Sequence, residues 1–158
     1  VDNTPSLIEV ADKIFTIIGN AAGTFTPVLT TTNLFWGDQV KIPFTPAICV
    51  EPYERTTEFA GIGGAGRLEI IHEVHIIVYT AKLTDSQTNR RESDVMVEQV
   101  ANILHTPGLG LTNSQAGNGA VLAGNVVRTS YGYAKRNTLR AARLVWQGKC
   151  KTSIVPVP

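Results

Sequence analysis

Glu69, His72, Glu73 and His75 place two carboxylates and two imidazoles within seven residues, the side-chain types that bind divalent metals or move protons. Strand alternation decides how many of them converge. Successive side chains on an extended backbone point to opposite faces, so His72 parts from Glu69, Glu73 and His75. Three mixed ligands without a fixed further partner make a poor metal site. His72 is expected in the core and His75 at the surface or in an interface. Glu51, Glu54 and Glu58 supply a second group of carboxylates. They surround Pro52 and run toward a glycine-rich stretch, a poor place to hold general acid and base groups to catalytic tolerance. They are expected to form an acidic contact surface.

Other chemistries lack their signatures. Gly61-Ile62-Gly63-Gly64-Ala65-Gly66 is not followed by Lys-Ser/Thr and leads into a strand, where a phosphate-binding loop would open a helix. No Gly-x-Ser-x-Gly elbow is present. Cys49 and Cys150 have no metal-ligand spacing and are expected to be small buried hydrophobes of a chain made in a reducing compartment. No catalytic residue, cofactor or metal is therefore expected. A hydrolase would instead need a compact pocket around Glu69, Glu73 and His75.

The last third carries a different chemistry. Residues 1–98 hold thirteen acids against seven Lys/Arg, a balance of −6, whereas residues 99–158 hold seven Lys/Arg and no acid, a balance of +7. Arg128, Lys135, Arg136, Arg140, Arg143 and Lys149 form a candidate basic contact or lumen surface, with Lys151 following. Tyr131, Tyr133 and Trp146 are interleaved with them, which suits base stacking or packing inside a sheet or interface. Such segregation lets identical subunits associate head to tail, or offers one basic surface to nucleic acid. It is equally neutralised within one subunit if the two ends of the chain pair. Reversal of Arg140 and Arg143 to Glu is expected to weaken a neighbour contact or alter a lumen without unfolding the subunit.

These groups are positioned by elements that the patterning predicts. Thr4-Pro5, or alternatively the Ser6/Glu9 capping box, opens a helix whose stripe is Leu7, Ile8, Ala11, Ile14, Phe15 and Ile18, ending at Gly19-Asn20. Residues 24–36 read as a short edge strand or an irregular arm around Pro27. Ala47–Tyr53 reads as a strand. Residues 67–80 are the clearest strand, one face core, the other polar at first and apolar at its far end, where it is expected to enter a subunit contact. A second helix is predicted over 86–105, using Val95, Val97, Val100, Ala101, Ile103 and Leu104, with Met96 at the edge. Residues 125–134 and 139–149 form a hairpin about 135–138.

The fold class is α+β: an antiparallel, possibly mixed, sheet with two helices on one face. At 158 residues a single domain, 1–158, is expected, with flexible loops about 55–66 and 107–124 and an extended tail about 152–158. The opening Val-Asp-Asn-Thr-Pro lacks the pattern of a signal peptide, and the apolar runs are too short for a membrane-spanning helix.

In order and pattern the chain resembles the tail terminator, or tail completion, proteins of long-tailed bacteriophages. The residues that carry the resemblance are the helix Leu7–Ile18, the proline-led strand Pro46–Glu51 and the strand Glu69–Tyr79. The helix Glu92–Leu104 and the strand pair from Val126 to Lys149 complete it. The resemblance implies a ring, usually of six subunits, at the head-proximal end of the tail tube. Such a ring ends tube polymerisation and meets the head-tail connector, or stopper, while genomic DNA passes through its lumen without sequence-specific binding. The implied partners are further copies of the chain, the tail tube protein and the connector, with no membrane. The implied location is the virion, assembled in the host bacterial cytoplasm. The alternatives are a neck adaptor or stopper ring, and a non-specific nucleic-acid-binding module.

Overall fold

Ser6 opens the first helix with both halves of a capping box. Its hydroxyl accepts from the Glu9 amide at 3.1 Å, and the Glu9 carboxylate accepts from the Ser6 amide at 3.0 Å. The computed structural model describes residues 6–26, 28–38, 42, 45–59, 67–82, 87–105, 121–134 and 139–153. Helix α1 spans Leu7–Ala21 and buries Val10, Ala11, Ile14 and Ile18. Ile8 is exposed, because it lies about a quarter-turn from the centre of that stripe. The helix passes through Gly19-Asn20 and tightens into a 3₁₀ turn at Ala22–Thr24. Burial of Ala22 and Phe25 outweighs the glycine's modest cost in a helix.

The arm that follows contributes to the core through Phe25 and Leu29. The Thr26 amide donates to Gln99 of the second helix at 2.8 Å. The arm ends in strand β1, Leu34–Trp36, after a second 3₁₀ turn. Strand β2 spans Ala47–Phe59, β3 Arg67–Lys82, β4 Val121–Ala134 and β5 Leu139–Ser153, with helix α2 at Gln87–Ile103. The sheet order is β1-β2-β3-β5-β4. β1 runs parallel to β2 and every other pairing is antiparallel, so the sheet is mixed by one short edge strand.

Both helices cover the same face. Ile48, Val50, Ile70, Val74, Ile76, Val78, Leu144 and Trp146 meet the buried stripes of α1 and α2 there. In α2, Met96 is fully buried and Val95 is exposed, the reverse of the sequence expectation. The unbranched methionine reaches the sheet beside Val97 and Val100, and Val95 falls outside that stripe.

Several boundaries differ from the sequence reading. β2 runs to Phe59, so residues 55–59 of the expected loop belong to a strand; long β3 offers them partners from His72 to Leu68. β4 begins at Val121 and β5 continues to Ser153, which absorbs the ends of the expected 107–124 loop and 152–158 tail. The rest of those expectations, 60–66, 107–120 and 154–158, lies outside the described residues.

The far end of the second face is closed by the chain itself, not left for a neighbour. Ala47, Cys49, Ile77, Tyr79 and Leu139 form a small second core there, packed by Phe35 and Ile42. The Tyr79 hydroxyl donates to Asp38 at 2.6 Å. Burial, with this carboxylate beside it, pushes the Tyr79 phenol well above its ordinary value. Cys49 faces this small core and Cys150 the main one, which keeps the two thiols from bridging.

Candidate functional site

The face without helices carries the polar groups. In register across it lie Glu51, His75, Val145 and Arg128, and next to that row Glu54, Glu73, Gln147 and Asn125. His75 is only 4% exposed, so it is buried within the subunit and is not the surface or interface group expected. Tyr53 buries it: the two rings stack with centroids 3.9 Å apart. Pro52 precedes a register shift in β2 that lets Tyr53 lie over His75. The stack joins two strands, and the local sequence does not display the register that brings them together.

His75 is held from both ring nitrogens. An Arg143 guanidinium N–H lies 3.1 Å from Nδ1, and Nε2 lies 3.0 Å from Glu73. Arginine is only a donor, so Nδ1 accepts and the proton sits on Nε2, which donates to Glu73. Gln147 donates to the other Glu73 oxygen at 2.8 Å. Burial alone would raise the Glu73 carboxyl, but the hydrogen bonds from Gln147 and His75, with the charge of Arg128, hold it below its ordinary value. Glu69 is taken by Lys149 at 2.9 Å. The carboxylates of the suspected metal cluster are thus each engaged by donors. Among the described residues no group of three or more His, Cys, Asp and Glu side chains is placed to hold a metal ion. His72, on the opposite face, is fully buried beneath the helices.

The basic residues separate into two sets. Arg143, Lys149 and Arg128 lie on the helix-free face. Arg140 lies on the other, where it grips Asp94 of α2 with two hydrogen bonds of 3.2 and 2.9 Å. That contact, opposed by partial burial, raises the guanidinium's already high value. Arg140 also lies over the Tyr131 ring at 5.6 Å. Lys135 and Arg136 lie outside the described residues. Part of the sequence's charge split is therefore neutralised within the subunit, through Arg140–Asp94 and Lys149–Glu69.

What remains is a gradient across one face. Glu54 and Glu58 are exposed on β2 at one side, with Glu51 half-buried beside them, and Arg128 is exposed on β4 at the other. A shallow cavity of about 260 Å³ lies near β4 and β5, lined by Tyr79, Ser130, Ala141 and Arg143 among others. It brings together no nucleophile, base and oxyanion donor in the relation that hydrolysis requires. No described helix is long and apolar enough to cross a membrane.

No protein-family model matches the chain, and no curated protein matches it. Among solved structures, a chain of the "Virion of native gene transfer agent (GTA) particle" is similar. The match covers 90% of this chain and 95% of that one, with 12% sequence identity and a TM-score of 0.53. At that identity the likeness establishes a shared fold and transfers no residue roles.

Proposed function

We propose that this chain is a structural, non-catalytic protein of a phage-like particle, a tail terminator that assembles as a ring at the head-proximal end of a tail tube. Six subunits would end tube polymerisation and present the surface joined to the head-tail connector, with genomic DNA passing through the lumen. The observation that carries this reading is the whole-chain fold likeness to a chain of a gene transfer agent virion. The order of helices and strands, similar to that expected of tail terminators, favours this station. A neck adaptor or stopper ring is the neighbouring alternative.

A nucleic-acid module is less well supported. Two of its phosphate-binding candidates, Arg140 and Lys149, hold carboxylates of their own subunit, and Arg143 holds His75. The decisive test is functional. Added to polymerising tail tube protein, the chain should stop growth at a fixed length and be found at one tube end. Tubes that grow on unchanged, with the protein remaining free, would contradict the reading.

A further inference from the structure

Among the described residues the sheet has two open edges at opposite sides, and their chemistry differs. β4 is an edge strand along its whole length, Val121–Ala134. It contains one charged residue, Arg128, and no proline, and it exposes Val127, Tyr131 and Tyr133 by 56%, 48% and 55%. An edge that long with so few of the usual guards against strand addition invites a partner strand. At the other side, β1 pairs only with Ile48–Val50. Among the described residues no strand covers the outer edge of β2 beyond Val50, and residues 53–58 are all exposed. This edge is acidic and contains Pro52, which opposes pairing with its own kind.

We infer that successive copies join edge to edge, with β4 of one copy adding to the open part of β2 in the next. This rests on the ring reading above and names the contact that would build the ring. Strand direction agrees. β2 runs parallel to β5, and β4 antiparallel to β5, so copies that share one orientation about a ring axis bring β4 and β2 together antiparallel. The interface is heterologous, the kind that closes into a ring.

Both faces of the junction are complementary. Arg128 and the pair Glu54 and Glu58 project from the helix-free face, since each is in register with residues of that face. Tyr131 and Tyr133 project on the helix side, as does Arg55, which suits cation–π contact. β1 blocks the space beside Ile48–Val50, so the incoming strand must sit with its Ala134 end nearest β1. That placement moves Arg128 toward Glu54 and Glu58. Within one subunit β2 and β4 are separated by β3 and β5, about 14 Å at ordinary strand spacing, too far for a disulfide.

The test pairs Arg128→Cys with Glu54→Cys, Thr56→Cys or Glu58→Cys in one chain, oxidises the assembled protein and reads covalent size under denaturing conditions. A ladder reaching the ring's subunit number, formed only when both cysteines are present, is expected. Covalent dimers from Arg128→Cys alone would mean two-fold β4–β4 pairing and overturn the proposal. Rings that form without any ladder would overturn it and leave the ring reading standing. Failure to assemble even with tube protein would remove both. As a second measurement, Arg128→Glu should raise the concentration for half-assembly about tenfold, and adding Glu54→Arg and Glu58→Arg should reverse most of that shift. No change with Arg128→Glu would count against the edge contact.

Discussion

Arg143 reaches from β5 to His75 on β3 and donates to its Nδ1 at 3.1 Å, which fixes the imidazole as the Nε2–H tautomer. Tyr53 stacks on the ring, and Glu73 receives the remaining N–H. Nitrogen NMR should therefore show Nε2–H as the tautomer of the neutral His75 ring. Detection of the Nδ1–H tautomer would contradict this geometry.

Glu73 gives the same network a pH dependence. Its carboxyl is held below the ordinary value by Gln147 and His75 despite burial, so the ionised form is favoured in the folded chain. The stability it contributes is present above its unfolded value of about 4.3 and is lost as pH falls through the lower folded value. Urea unfolding should show Glu73→Gln most destabilised relative to wild type near pH 6–7. The gap should close below about pH 4. A gap that stays constant from pH 7 to pH 3 would exclude this role.

Trp146 lies over two paired glycines. A Cβ at either Gly124 or Gly148 would collide with the indole ring, whereas one at Gly132 would meet nothing within 4 Å. The ring is fully buried, so it has little room to withdraw. Gly148→Ala is expected to lower stability by about 1–3 kcal/mol, and Gly132→Ala by less than about 0.5 kcal/mol. Equal denaturation midpoints for the two variants would be the contrary result.

Arg140 and Asp94 tie β5 to α2 at a half-exposed position. Asp94→Asn should lower stability by about 0.5–1 kcal/mol at low ionic strength and by less in 1 M salt. Reversal of Arg140 and Arg143 to Glu acts on the subunit first, because it opposes Asp94 and removes the donor to His75. The isolated subunit should then unfold at lower urea, contrary to the expectation drawn from sequence. An unchanged midpoint would restore that expectation.

The helices were legible because their signals are local. Ser6 and Glu9 cap α1 through bonds only three residues long, and Val97, Val100 and Leu104 recur with the helical period. β3 was legible through strict alternation, and so was its split into a core face and a polar face. The partners of Arg140, Arg143 and Lys149 were not legible, for they lie 46, 68 and 80 positions away, and only sheet order brings them together. From sequence His75 reads as a surface or interface group, because its cover, Tyr53, comes from another strand. The sequence predicts an end to β2 at Tyr53 because Pro52 normally interrupts a strand, yet here it sits on an edge where a missing N–H is tolerated.

The proposed function depends on assembly into a closed ring. Absolute mass by light scattering across concentration, with negative-stain imaging of the same fractions, tests it most directly. A discrete oligomer near six subunits, alone or on addition of tail tube protein, seen as rings, is expected. A strict monomer that ignores tube protein and instead binds DNA with strong salt dependence would contradict it.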